Sequence, residues 1–341
     1  MLKWEIKKLF KNKSIIISSI ILLLLCGMMS LIKPDLETEN SYVDDKGKYT
    51  VDNRSESTIA NEKLSYKISE LKEIQSQNSM KNTDDLTKKT SDMANLKLDK
   101  DSGKEYKDVS FYKVFNYRLS NMLVSVVIVG ITIYIFSNIY TDEKLSNVDS
   151  IILSSKNKSK ALFSKLSLSI ILPAVLYLIY VLIIGCITIV QYGQPVNGAL
   201  QAYRIVDIVT LVNPISINIY TIQSILTMMI IFASIGIFAS LFSFITKNSV
   251  ESIVGITVFL VIGKLLTLMK FLPAKLMIII NYSNYIDIIM QPAMIIGKYM
   301  GDISLFGQSI GTISLVYIVL VAILLMGIGL NIYVFRKFLI K

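Results

Sequence analysis

The chain has 341 residues, of which 53% are hydrophobic, a formal net charge of +10 and no histidine. A soluble protein of this size could not bury so much apolar surface, so the composition predicts an integral membrane protein. The lack of histidine excludes serine–histidine and cysteine–histidine catalysis and every histidine metal site, and we expect no cofactor. The positive charge lies beside apolar segments, which argues against nucleic acid as a partner.

Residues 1–13, MLKWEIKKLFKNK, predict an amphipathic helix at the membrane surface. Leu2, Ile6, Leu9 and Phe10 fall on one helical face, and lysines fill most of the remainder. This pattern is typical of a helix held in the headgroup layer by apolar burial and anionic membrane lipids. We expect its main role to be anchoring.

Six apolar segments are long enough, at roughly 20 residues, to cross the hydrocarbon core of a membrane. They are residues 14–32, 119–140, 166–190, 217–246, 252–269 and 309–335. The first could be a cleaved signal peptide, but its length and the lack of a small-residue cleavage pattern favour a retained anchor. Cys26 and Cys186 lie inside apolar runs and are expected to pack as small hydrophobes rather than form a disulfide. The predicted fold class is an all-α integral membrane protein with six transmembrane helices.

The largest polar segment, residues 33–118, is predicted to be a mainly helical extracellular domain. Apolar residues recur at helical spacing in two places, strongly at Leu64, Ile68, Leu71 and Ile74 and more weakly at Leu86, Met93 and Leu96. The sequence leaves two interpretations open. The segment is either a solvated spacer with partial disorder or a sensor or docking surface.

Residues 270–308 are too apolar for an ordinary loop, yet Pro273, Asp287, Pro292 and Gly297 interrupt them. They predict short helices that lie at the membrane interface or re-enter it on the extracellular side. The shorter connections are an extracellular loop at residues 191–216, a cytoplasmic loop at 247–251 and a cytoplasmic tail at 336–341.

Lysine and arginine are concentrated before the first span, in residues 141–165 and in the C-terminal tail. Because cytoplasmic loops carry an excess of these residues, all three segments are predicted to be cytoplasmic. Six spans place them on the same side, in agreement with this charge pattern. We therefore expect a multi-pass protein of the cell membrane with both termini in the cytoplasm.

The loop at residues 141–165 carries an apolar stripe of its own. Leu145, Val148, Ile151 and Ile152 fall on one side of a predicted helix, with polar residues on the other. Such a face either packs beneath the neighbouring spans or docks into a groove on a cytoplasmic protein. The length and amphipathicity of the loop favour docking.

This loop resembles the one between spans two and three of ABC-2-type ABC transporter permeases. In that family an acidic residue closes span two, an amphipathic coupling helix ends in a leucine–serine stretch, and a basic residue precedes the lysine that opens span three. Glu143, the stretch SIILSS, Lys158 and Lys165 occupy those places here. The family's glycine-threonine pair is replaced by SN, and its proline after the serines is missing. The large segment between spans one and two matches one branch of the family.

The resemblance implies a permease subunit that exports its substrate and pairs with a second permease chain, identical or different. It also implies a separate ABC ATPase subunit that docks on Glu143, Leu145, Val148, Ile151, Ile152 and Lys158. The chain has no G-x-x-x-x-G-K-[ST] loop to hold phosphates, as expected for a permease that is not itself an enzyme. Few charges lie at membrane depth, which favours an amphiphilic substrate such as a peptide antibiotic or a lipid-like molecule.

Two other classes of function remain as alternatives. One is a membrane sensor or adaptor whose extracellular segment detects a ligand without transport. The other is an intramembrane enzyme, which would need paired aspartates, a serine–lysine pair or a metal cluster at membrane depth, and the spans offer none of these.

Overall fold

The computed structural model describes residues 2–11, 13–43, 47–77, 85–101, 105–269, 272–305 and 308–340. Of the residues that the structure describes, 74% are helical. In chain order, the helices are α1 (Leu2–Lys11), α2 (Lys13–Leu31), α3 (Glu56–Gln77), α4 (Asp85–Lys100), α5 (Ser110–Leu119), α6 (Met122–Ser137), α7 (Thr141–Leu145), α8 (Asp149–Ser154), α9 (Lys158–Tyr192), α10 (Ile217–Ile245), α11 (Ser249–Leu266), α12 (Ala274–Ser283), α13 (Tyr285–Met290) and α14 (Thr312–Ile340). The strands of the described part form two antiparallel hairpins, β1 (Ser41–Val43) with β2 (Tyr49–Val51) and β3 (Asp302–Leu305) with β4 (Gln308–Gly311).

Among the described residues, six helical segments are long and apolar enough to cross a membrane, which is the number predicted from the sequence. They are Ser14–Leu31, Ser110–Leu145, Lys158–Tyr192, Ile217–Ile245, Ser249–Leu266 and Thr312–Lys337. These helices indicate a multi-pass membrane protein of the all-α class.

Several segment boundaries differ from those predicted. The polar segment expected over residues 33–118 ends earlier, because α5 is buried against α9 and α10 as part of the bundle. A break after α5 precedes α6, whose first turn is capped by the Asn121 side chain accepting a hydrogen bond from the Leu123 amide at 3.0 Å. The third apolar helix starts at Lys158 instead of residue 166, and residues 309–311 belong to β4 instead of the last span.

Helix α10 is the centre of the bundle and packs against α6, α9, α11 and α14. Its buried face includes a run of small side chains that lets neighbouring helices approach closely: Ala233, Ser234, Gly236, Ala239 and Ser240. At Gly236, an added Cβ would overlap the Ser169 carbonyl oxygen and lie 2.7 Å from Pro173 Cγ of α9. The α9–α10 crossing therefore depends on the missing side chain at this position.

The two ends of the bundle carry different parts of the chain. At the end called here the loop end, α1, α7 and α8 lie together with the last turns of α14, where the Phe335 ring is 6.3 Å from that of Phe163. The opposite end, called the insert end, carries residues 32–109, which are called the insert. The start of the first apolar helix and the end of the sixth therefore lie at the same end of the bundle.

A buried arginine connects helices at the insert end. The Arg118 side chain is fully buried, and its Nε donates to the Ile32 carbonyl at 3.0 Å. Its terminal nitrogens donate to the Ser30 carbonyl, to Thr188 Oγ1 and to Gln191 Oε1, at 2.8–2.9 Å. Because the last carbonyls of a helix have no partner within the helix, the arginine closes the end of α2 and ties it to α9.

The insert is built on the antiparallel pair α3 and α4. Leu64 and Leu71 of α3 are buried, as their spacing predicts. In α4, Leu86 and Leu96 are exposed, and the helix buries Ala94 and Lys97 instead. The predicted apolar stripe on α4 is therefore wrong, because the buried face of α4 is set by Lys97 reaching backbone carbonyls outside the insert. The two β-hairpins were also missing from the sequence-based prediction.

Candidate functional site

The connection between α6 and α9 contains two short helices with a left-handed residue between them. Asn147 has φ 56°, and its amide donates to the Lys144 carbonyl at 3.1 Å, while the Val148 amide donates to the Glu143 carbonyl at 2.9 Å. These two bonds form a Schellman motif, and asparagine tolerates the left-handed conformation better than most residues. The single amphipathic helix predicted across this region is therefore interrupted, and α8 starts in a new direction.

The apolar side chains of this connection remain uncovered. Leu145 is 65% exposed, Val148 36% and Ile151 66%, whereas Ile152 is half-buried. The sequence left open whether this stripe packs beneath the neighbouring spans. In the single chain, the side chains of Leu145, Val148 and Ile151 are not buried beneath those spans. We call Leu145, Val148 and Ile151 the loop patch.

Glu143 is buried directly behind the loop patch. Its side chain is 2% exposed, and Oε1 accepts hydrogen bonds from Lys165 Nζ at 2.6 Å and from Lys8 Nζ at 2.5 Å. The structure thus joins an acidic residue near the start of residues 141–165 to the lysine at their end. Lys158 is not part of this contact. It is the first residue of α9, about 10 Å from Lys165 along the helix axis.

Lys165 also binds a residue from the N-terminal helix. Its fully buried ammonium group donates to Glu5 Oε2 at 3.3 Å and to the Ile139 carbonyl at 3.2 Å. Two carboxylates, from Glu5 and Glu143, are balanced by two ammonium groups, from Lys8 and Lys165. We call these four residues the ion cluster. It fastens α1, α7 and α9 to one another, since separating any one of them would leave a buried charge without its partner.

The ion cluster gives α1 a packing contact in addition to the membrane anchoring expected for it. Glu5 falls on the same helical face as Leu2, Ile6 and Leu9, and it is buried rather than exposed among the lysines. A carboxylate on an apolar face is the one sequence signal that could have predicted this contact. One oxygen of each carboxylate, Glu5 Oε1 and Glu143 Oε2, has no hydrogen-bond partner among the described residues.

A further lysine fastens the connection to the central helix. Lys144 Nζ donates to the carbonyls of Phe244 at 2.7 Å and Thr246 at 2.6 Å, where α10 ends. The amides of Tyr140 and Thr141 donate to Ser243 Oγ of the same helix at 3.0 and 3.2 Å. The lysine therefore satisfies orphan carbonyls at the helix C-terminus, where a positive charge is favourable. Sequence reasoning assigned no such role to Lys144.

At the insert end, α4 is attached to residues 193–216 by buried charges. Lys97 Nζ donates to the carbonyls of Val209 at 2.8 Å and Thr210 at 3.2 Å, and burial lowers the pKa of this lysine to about 8. Arg204 holds Asp101 with two parallel bonds of 2.8 and 2.9 Å, the geometry in which a guanidinium binds a carboxylate most strongly.

A second ion pair holds the start of the insert. Glu37 Oε1 accepts from Lys67 Nζ at 2.7 Å and from Lys113 Nζ at 3.1 Å. Burial raises the pKa of the Glu37 carboxyl, but the attraction of the two lysines outweighs it, so the pKa lies below its usual value. The insert is thus docked on the bundle through charged contacts rather than tethered by its ends alone.

Within the described ranges, no group of three or more Cys, Asp or Glu side chains is arranged to hold a metal ion. Comparison with protein-family models, with curated proteins and with solved structures gives no match. The geometry of the loop end and of the insert end is therefore the basis for assigning a function.

Proposed function

We propose that this chain is the permease subunit of an ABC transporter of the ABC-2 type, driven by a separate ATPase subunit that docks on the loop patch. The observation that supports this proposal is the exposure of Leu145 and Ile151 on a connection whose other side is fastened into the bundle. We further propose that the transporter exports an amphiphilic substrate across the cell membrane, with both termini of this chain in the cytoplasm.

The chemistry of the loop patch favours a protein partner. Exposed apolar surface is unfavourable in water by about 25 cal/mol per Å², and several large apolar side chains exposed within one short polar connection favour an interaction surface. The lysines that follow the patch in the sequence, among them Lys156, Lys158 and Lys160, support a cytoplasmic position by the positive-inside rule. ATP and soluble ATPase subunits are found on that side.

The contacts behind the loop patch provide a route for force. The ion cluster links the patch to α1 and α9, and Lys144 links it to α10. A displacement of the connection by a docked ATPase would therefore move three helices together, as in rigid-body switching between two packed states. A second permease chain would complete the substrate path between the two bundles.

Charge reversal of the loop patch tests this proposal. The double variant Leu145→Glu, Ile151→Glu introduces two charges where both side chains already face solvent, so folding and membrane insertion should be unchanged. We expect an ATPase that co-purifies with the wild-type protein from its native membrane to be lost from the variant, together with the ATP hydrolysis of the preparation.

The matched control for charge reversal is Tyr66→Glu, since Tyr66 of α3 is 73% exposed on the insert and lies outside the membrane-crossing segments. This variant should retain the ATPase. An ATPase that stays bound and active with the double variant would refute docking on this patch. Loss of the ATPase from both variants would refute it as well.

A second candidate function is a membrane sensor or adaptor, and the charged attachment of the insert favours it. The Asp101–Arg204 pair would transmit a change in the insert to the bundle without transport. Reconstituted vesicles that contain this chain and its ATPase distinguish the two functions. A transporter moves an amphiphile across the vesicle membrane when ATP is supplied, whereas a sensor responds to a ligand of the insert without any such movement.

A further inference from the structure

The insert end contains a cavity of about 190 Å³. It is lined by residues of α5, by residues 205–208, by Tyr220 of α10 and by Ala293 and Lys298. Most of its wall is apolar, formed by Pro34, Ile205, Val206, Ile208, Tyr220 and Ala293. Its polar lining includes Lys113, Asp207 and Lys298. The Asp207 side chain is 92% exposed, so the cavity opens to the surface beside it.

Lys298 is a buried cation without a strong partner. It is 8% exposed, and its Nζ contacts Met294 Sδ at 3.9 Å, a weak acceptor. Among the residues that the structure describes, no carboxylate forms an ion pair with it. Burial lowers the pKa of this ammonium group, because nothing compensates for its lost hydration.

The other buried lysines differ from Lys298 in this respect. Lys97 donates to two carbonyls, Lys113 binds Glu37, and Lys165 binds Glu143, with closest distances of 2.8, 3.1 and 2.6 Å. A buried ammonium group costs several kcal/mol unless a charge or several dipoles compensate it. The fold therefore supplies partners for three lysines and leaves the fourth one facing a cavity.

The backbone holds Lys298 firmly in this place. The Asn213 amide donates to the Gly297 carbonyl at 2.8 Å, and the Tyr299 amide donates to the Leu211 carbonyl at 2.7 Å. Gly297 has φ 61°, a conformation that a glycine adopts without strain. Lys298 thus lies between two backbone hydrogen bonds, which hold its backbone at the wall of the cavity.

We propose that this cavity binds the phosphate or carboxylate group of an amphiphilic molecule, with Lys298 as the counter-ion. The site lies among apolar side chains, which would accept the first part of an apolar chain attached to the anion. Its volume is below the roughly 300 Å³ at which pockets that enclose a whole ligand begin, so it is suited to a headgroup. This inference deepens the proposed export of an amphiphile but does not depend on an ATPase.

Binding to the full-length protein in a non-ionic detergent tests the inference without ATP or any partner. The probes are dihexanoyl phosphatidic acid, dihexanoyl phosphatidylcholine and inorganic phosphate. We expect saturable binding of phosphatidic acid and no measurable binding of phosphatidylcholine. A preference for phosphatidic acid over inorganic phosphate would support an amphiphilic occupant, whereas equal affinity for inorganic phosphate would show an anion site and overturn the amphiphile as its occupant.

Three variants assign the binding to this cavity. Lys298→Gln should weaken phosphatidic acid binding at least about tenfold, the effect of losing a hydrogen bond to a charged group. Lys72→Gln removes the same charge from an exposed position of the insert and should leave the affinity unchanged. Asp207→Asn removes a repelling charge at the rim and should tighten binding about twofold, a change that misfolding could not produce.

Thermal unfolding without added anion gives an independent readout. Since Lys298 is unpaired, Lys298→Gln should unfold at the same temperature as the wild type or a higher one, and phosphatidic acid should stabilise only the wild type. The inference is wrong if phosphatidylcholine binds as well as phosphatidic acid, or if Lys72→Gln and Lys298→Gln weaken binding equally. It is also wrong if no probe binds to the wild type.

Discussion

Lys165 is fully buried at the loop end, and carboxylates from two distant parts of the chain hold its ammonium group. A lysine at the start of an apolar helix is usually expected to reach toward the membrane surface. Lys165 does not do so, because Glu5 and Glu143 bring negative charge to it inside the protein. The pairing makes the position of the loop patch dependent on side chains that are buried inside the protein.

Removal of the Lys165 charge should destabilise the protein more than removal of the whole pair. Lys165→Met leaves Glu143 and Glu5 buried with one cation between them, so we expect the free energy of unfolding in detergent to fall by about 3–5 kcal/mol. The double variant Lys165→Met, Glu143→Gln should recover more than half of this loss, since it removes one of the unpaired carboxylates.

Lys8→Met is the matched control, because Lys8 is partly exposed and belongs to the same cluster. Its loss of unfolding free energy should be about 1 kcal/mol or less. If the effects of Lys165→Met and Glu143→Gln simply add in the double variant, the two groups are not coupled and the ion cluster does not fasten α7 to α9.

At the scale of elements, the loop patch is displayed by two short helices that have little stability of their own. Helices of five and six residues are too short to persist in water, so their geometry comes from the contacts around them. The ion cluster and Lys144 provide these contacts on one side, and α9 continues directly from the other. The connection therefore moves with the helices it joins.

The crossing of α9 and α10 provides a test at the same scale. Gly236→Ala would force the new methyl group against the Ser169 carbonyl and Pro173, so the helices must separate. We expect the free energy of unfolding to fall by about 1–3 kcal/mol, the usual effect of overpacking. Chemical or thermal unfolding of the purified protein measures this change.

Gly130→Ala is the control for the crossing, because an added Cβ at Gly130 of α6 meets nothing within 4 Å. It should leave stability unchanged or raise it by up to about 1 kcal/mol, through the better helix propensity of alanine. Equal effects of the two substitutions would contradict the close approach of α9 and α10 at Gly236.

At the scale of the whole molecule, long apolar runs predicted the six membrane-crossing segments, because length and hydropathy alone determine whether a helix can span a bilayer. The residues of the loop patch were also identified from their spacing. The break at Asn147 was not, because a left-handed residue in a short polar stretch leaves only a weak sequence signal. The buried face of α4 was predicted wrongly for a related reason. Lys97 turns inward because it donates a hydrogen bond to a backbone carbonyl more than 100 residues away in the chain.

The burial of Glu5 and Lys298 was not predicted from the sequence. Glu5 stands among lysines, and its place on the apolar face of α1 is a weak signal for the packing of α1 against α9 that buries it. Lys298 lies in a glycine-containing turn and becomes a cavity residue only where residues 211–213 pair with it. Long-range packing decides both positions.

Site-specific photocrosslinking in native membranes tests docking on the loop patch most directly. A photoreactive side chain in place of Ile151 should form a covalent product with a polypeptide that binds and hydrolyses ATP. The same side chain in place of Tyr66, which is exposed on the insert, should not. Crosslinks to lipid alone at Ile151, or an equal yield of the ATPase product at both positions, would contradict the proposal that a separate ATPase subunit docks on the loop patch.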